Sequence, residues 1–178
     1  MKKFRDFDIP FAGLKQGEHR FGYHIDNRFF ESFGYTDFNG ASLDVTVVLR
    51  KKSNLLELEF EVSGTVNVYC DLSGEPFDQE IGGNLELVVK FGEDYNDENE
   101  EILILPHGEH QVNVAQYIYE MAVLAVPAKK VHPGIEDGSL DSEIVRKLSE
   151  LQPGSSGKDD KKETDPRWDS LKKLLTDK

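Results

Sequence analysis

A single cysteine, Cys70, stands in the stretch GTVNVYCDLSGEPF, residues 64–77 of a 178-residue chain. A thiol can attack as a thiolate, ligate a metal, or fill apolar space. Attack needs a depressed pKa, supplied by an imidazolium or a helix N-terminus, and a base within hydrogen-bond reach. The neighbour here is Asp71, whose charge is expected to raise a thiol pKa instead. A zinc site needs a C-x-x-C pair or suitably spaced histidines, and position 73 is Ser. His107 and His110 lie three apart in a glycine-containing stretch after Pro106, whereas the metalloprotease motif sets its histidines four apart on a helix, so an exposed turn is expected. His19, His24 and His132 are scattered. Six carboxylates crowd into residues 93–101, EDYNDENEE, without the spacing or central glycine of a calcium loop, which predicts a solvated loop. No phosphate-binding glycine loop, nucleophile elbow or dinucleotide fingerprint occurs. The residue types therefore point to a non-enzymatic protein without a metal or cofactor, in which Cys70 is a buried small side chain.

The formal charge of −13 bears on partners, because binding phosphates by charge alone needs a basic surface that releases counterions. Residues 1–151 carry 14 Lys and Arg against 28 Asp and Glu, and residues 152–178 carry 7 against 6. Nucleic-acid contact is thus confined to a local patch or to a partner protein. Two patches qualify, Arg50-Lys51-Lys52 and Lys129-Lys130 with His132 nearby. No apolar run approaches the ~20 residues of a spanning helix. The opening MKKFRDFDIPFAGLKQGEHR has basic residues but no apolar stretch after them, so it does not read as a secretory signal. A cytoplasmic protein is expected, consistent with one cysteine and no internal disulfide.

The elements that must position these residues are visible as periodicities. Leu43, Val45, Val47 and Leu49 alternate with Asp44 and Thr46; after the polar turn 51–54, Leu56, Leu58, Phe60 and Val62 alternate with Glu57, Glu59 and Glu61. This predicts a hairpin. Gly64 interrupts the pattern as a bulge or bend would, and a third strand through Val66, Val68 and Cys70 follows. A fourth strand carries Leu85, Leu87, Val89 and Phe91, and EILILP is one more short strand. Consecutive strands with short connections predict an antiparallel meander.

Val114, Tyr117, Ile118, Met121 and Ala125 recur at helical spacing, with Asn113 as cap, Gln116 at the capping-box position and Pro127 as stop. A second helix is expected in SLDSEIVRKLSEL, capped by Asp141 with a stripe of Ile144, Leu148 and Leu151. The expected organisation is an α+β domain over 1–151, its antiparallel meander sheet curling towards a barrel with both helices packed on it. A flexible Pro, Gly, Ser and charge-rich linker spans 152–164. A short amphipathic helix, DPRWDSLKKLL, begins at Asp165 within 165–178 and is too short to stand alone.

Three separated stretches resemble the YceD-like family. GTVNVYCDLSGEPF is similar to its strand-plus-turn signature, a strand ending in C-x-x-C before a short turn. NVAQYIYEMAVLAVPAKKVHPG is similar to its helix, which carries a Glu and runs into a Leu-Ala-Leu-Pro pattern and a His. DPRWDSLKKLL is similar to its short C-terminal motif. Carried over by position, Cys70 matches the first cysteine, Pro76 and Phe77 the end of the turn, and Glu120 the helix acid. Pro127 and His132 match the post-helix pattern, and Pro166, Trp168, Leu171 and Leu174 the tail. The second cysteine is replaced by Ser73. The resemblance implies a non-enzymatic factor for accumulation of large-subunit ribosomal RNA and for ribosome assembly. Its implied partner is the large-subunit rRNA precursor or a basic ribosomal protein, with Arg50, Lys51, Lys52, Lys129 and Lys130 as candidate RNA contacts and the Trp168 helix as a docking element. The alternative is a small-molecule-binding or catalytic domain that uses the interior of the curled sheet, with Cys70, His107 and Glu120 converging there.

Overall fold

The computed structural model describes residues 4–99 and 101–136 and the separate positions 143, 146, 147 and 150. After a short 3-10 turn, Arg5–Phe7, come β1 (Asp8–Pro10), β2 (Gly17–Asp26), α1 (Asn27–Ser32), β3 (Gly40–Lys51), β4 (Leu55–Tyr69) and β5 (Pro76–Gly92). β6 (Asn96–Asn99), β7 (Ile102–Pro106), β8 (Gln111–Asn113), α2 (Ala115–Leu124) and α3 (Pro133–Glu136) follow. The chain divides into units 1–140 and 141–178. In the second, Lys147 and Glu143 pair at 2.8 Å one helical turn apart. The expected cap Asp141, the stripe Ile144, Leu148 and Leu151, the linker 152–164 and the terminal helix with Pro166, Trp168, Leu171 and Leu174 lie outside the described residues.

The architecture is α+β, with one six-stranded sheet in the order β2-β3-β4-β5-β7-β6 and a small β1-β8 pair. Alternation builds the core directly. Val47, Phe60 and Leu85 lie opposite one another across three strands, as do Leu49, Leu58 and Leu87, and the even-numbered side chains of β4 from Leu56 to Val68 are buried except at Gly64. The opposite face, with Asp44, Arg50, Glu61, Glu80 and Glu86, is turned to water.

The sheet departs from the expected meander in three ways. Gly64 does not separate two strands: β4 runs unbroken past it, paired to Leu43 on one side and Ile81 on the other without a register shift. Its φ is +143°, and an added Cβ would lie 2.3 Å from the Ser42 carbonyl oxygen. The glycine marks a close approach between strands, where a side chain has no room. The acidic stretch expected as a loop contains β6. The chain leaves β5, runs out to the sheet edge as β6 and returns between them as β7, which makes β5 and β7 parallel and the sheet mixed. The sheet also remains open, with β2 and β6 as its edges, and is not closed into a barrel.

α2 buries Ala115, Ile118, Met121 and Ala122 and ends at Leu124, three residues before Pro127. Asn113 Oδ1 accepts from the Ala115 N–H at 3.1 Å, whereas Gln116 donates to Glu120 at 2.6 Å instead of closing a capping box. Gly83 of β5 lets the end of this helix close on the sheet: its missing Cβ would touch Ala125 Cβ at 3.5 Å. On its other flank, Tyr119 stacks on Phe33 at 4.4 Å, and Phe33 stacks on Phe4 at the same distance. These rings tie α1 and the N-terminal turn to α2.

Candidate functional site

β4 ends at Tyr69 and leaves Cys70, 3% exposed, at the start of a tight turn. The turn closes on itself: the Cys70 N–H donates to the Glu75 carbonyl at 2.8 Å, and the Gly74 N–H donates to the Cys70 carbonyl at 2.9 Å. Gly74 has φ +72°, a conformation a non-glycine residue adopts only with strain. The backbone is thereby curled around the sulfur. Leu72 and Ser73 N–H groups each donate to Cys70 Sγ at 3.4 Å, and a third donor, the His132 N–H, arrives at 3.3 Å.

Burial opposes the thiolate, yet the Ser73 hydroxyl and the His132, Ser73 and Leu72 N–H groups outweigh it and hold the thiol down at about 7. The expected upward shift from Asp71 is corrected for a geometric reason. The Asp71 carboxylate is turned to the Lys130 N–H, which donates to it at 2.7 Å, while the Asp71 N–H donates to the Lys130 carbonyl at 2.8 Å. Lys130 Nζ lies 3.9 Å from the same carboxylate.

The segment after α2 is thus latched to the turn. The His132 ring packs on Phe77 at 5.5 Å between centroids, and His132 Nδ1 accepts from the Gly134 N–H at 2.9 Å. Cys70, Phe77 and His132 therefore meet around one knot, with Pro76 opening β5 beside it and Pro127 between α2 and the latch. Ser73, 4% exposed, accepts from the Glu75 N–H at 3.3 Å and so supports the turn. A thiol surrounded by donors and closed from water can stabilise a turn and favour its own ionisation. Among the described residues no group of three or more His, Cys, Asp and Glu is placed to hold a metal ion.

The basic candidates are engaged differently. Arg50 pairs with Glu59 at 2.8 Å and Glu18 at 3.5 Å, and Lys52 pairs with Glu57. Lys51 donates to the carbonyls of Phe11 and Leu14 at 2.8 and 2.9 Å, fixing the loop that enters β2. Lys129 is exposed. His107 lines a shallow cleft with Lys51, Lys52 and Lys90, while Glu120 lines a separate one between α2 and β6. Cys70 lines neither of these, so Cys70, His107 and Glu120 are not brought together. Sequence reasoning missed the Asp71–Lys130 latch and the part played by Tyr95 and Asp97 opposite Glu120. The alternation of Tyr95, just before β6, with Asp97 inside it was the available signal, hidden by the density of carboxylates around them.

No helix among the described residues is long and apolar enough to cross a membrane. No curated protein and no solved structure matches the chain. The family described as large ribosomal RNA subunit accumulation protein YceD matches residues 58–175. That span is more than half of the chain and takes in the end of the core hairpin, the Cys70 turn, α2 and the latch, and the chain belongs to the YceD family.

Proposed function

We propose that this protein is a non-enzymatic factor that supports large-subunit rRNA accumulation and assembly of the large ribosomal subunit in the cytoplasm. The observation that carries the reading is the family match over residues 58–175. The Cys70 turn supports it, because its thiol is consumed as an acceptor for three backbone N–H groups within a structural knot. The partner is the rRNA precursor, met through a small patch at Lys129 and Lys130, or a basic ribosomal protein met by the acidic body. The segment that carries Trp168 serves as a further docking element.

Depletion of the protein in growing cells tests this. The ratio of large-subunit to small-subunit rRNA should fall and be restored by the wild-type chain. An unchanged ratio, with unchanged subunit profiles on a gradient, would overturn the proposal.

A further inference from the structure

The inner face of the sheet is covered unevenly. α2 closes on β5 at Gly83, and from there towards the β7–β6 edge the face opens into a cleft of about 900 Å³. Its floor is apolar, formed by Leu85, Leu103, Leu105 and Met121, with the half-buried Tyr117 beside them. Its rims are acidic. Asp97 of β6 is held by the Tyr95 hydroxyl, which donates to it at 3.0 Å, and Glu120 of α2 is held by Gln116. Among the described residues no Lys, Arg or His lines the cleft.

Three large hydrophobic side chains are exposed among the described residues, and two of them, Leu124 at 82% and Tyr95 at 56%, line this cleft. Burial, then Tyr95, Asp97 and Glu120, push the Tyr117 phenol up to about 12.

This combination selects its occupant. An RNA strand brings a phosphate per nucleotide, which two carboxylates without a cation among the lining residues repel. A cationic side chain is attracted, and an aliphatic or aromatic one finds Leu124 and the floor. We propose that the cleft is a docking groove for a basic, apolar-anchored peptide segment of a partner protein, with its Lys or Arg at Asp97 and Glu120 and its anchor between Leu124 and Tyr117. The inference deepens the proposed function and rests on it for the kind of partner, a basic ribosomal protein, but not for the site.

The test is direct binding of the full-length protein to a short labelled peptide of alternating lysine and leucine, read by fluorescence anisotropy. The double variant Asp97→Asn, Glu120→Gln should weaken binding at least ~10-fold, and Leu124→Ser ~5-fold or more, as losses of paired charge and of an anchor contact do. A peptide with glutamate for lysine should not bind. The control Glu61→Gln, Glu86→Gln removes equal charge from the outer face and should leave affinity within ~2-fold, since distant exposed charges are screened.

Equal affinity for the groove variants and wild type, or an equal loss in the control, would overturn the proposal. So would a benzophenone side chain at position 124 that crosslinks within the chain or between two copies in preference to the peptide. The readout is independent of ribosome assembly. Cells that lose large-subunit rRNA on depletion, beside a purified protein that ignores the peptide, would sink the groove and leave the assembly role standing. Peptide binding beside an unchanged rRNA ratio would support the groove and count against the assembly role alone.

Discussion

Three N–H groups and a hydroxyl converge on the Cys70 sulfur, and that convergence has a thermodynamic consequence. The thiol is held at about 7 in the fold against an ordinary 9.0. The group is an acid whose folded pKa is depressed, so its contribution is fully present above the unfolded value and is lost as pH falls through the folded one. The melting temperature of wild type minus that of Cys70→Ala should therefore widen from pH 7 to pH 9. A difference that stays flat across this range would show that the thiol does not ionise in the fold. Cys70→Ser should keep function with a modest stability loss, measured as rRNA complementation beside thermal melting; abolished function in a folded variant would count against a purely structural thiol. The burial of Cys70 was legible in the parity it shares with Val66 and Val68. Its donors were not, because the strongest structural contributor from outside the turn, the His132 N–H, lies 62 positions away and is delivered by the latch.

Elements built from strict alternation were readable, and those made by close approach or by distant pairing were not. β3, the first half of β4, and β5 show one apolar parity each, and that parity is the core. β2 has the same pattern in His19, Phe21, Tyr23 and Ile25, diluted by a half-exposed edge position, and Asp26 caps α1 through the Arg28 N–H at 3.0 Å. β1 and β8 are three residues each and pair with each other across more than 100 positions of chain, for example Ile9 with Val112. Gly64 looked like a break because glycine weakens strands in general, whereas here it permits one 15-residue strand to pass close to β3. Gly64→Ala should consequently cost more than ~2 kcal/mol, from backbone strain and the collision with the Ser42 carbonyl together. Gly82→Ala on β5 is the matched control: its Cβ would meet only the Val62 carbonyl at 3.6 Å, so its cost should stay below ~1 kcal/mol. Urea midpoints of the two variants decide the point, and equal losses would return Gly64 to the role of an ordinary strand glycine. At the latch, Asp71→Ala removes the acceptor of the Lys130 N–H. A lost charged acceptor of this kind is worth ~1.5–3 kcal/mol, so the Lys130 and His132 amides should exchange with solvent at least ~10-fold faster, while amides in the middle of β4 keep their rates.

On the scale of the whole molecule, the charge of −13 and the placement of its cations set how it can meet RNA. Arg50 and Lys52 sit in ion pairs with Glu59, Glu18 and Glu57, and Lys51 is spent on loop carbonyls, so a phosphate at this end of the sheet must compete with ligands already in place. Lys129 is exposed and makes no ion pair among the described residues, and Lys130 shares only the longer contact with Asp71 at 3.9 Å. Two cations next to one another release few counterions. Each neutralised phosphate contributes ~0.7–0.9 to the slope of log affinity against log salt, so binding of a large-subunit rRNA fragment through Lys129 and Lys130 should be weak, with a slope no steeper than about −2. Lys129→Glu should abolish that component, whereas Arg50→Ala should leave it unchanged and cost at most ~1 kcal/mol of stability, as exposed ion pairs do. Filter binding across a salt series measures both. A slope several units steeper would require cations beyond Lys129 and Lys130 and would shift the route of ribosome contact from the acidic body to direct RNA capture; a slope near −2 that Lys129→Glu removes would leave protein contact as the main source of affinity.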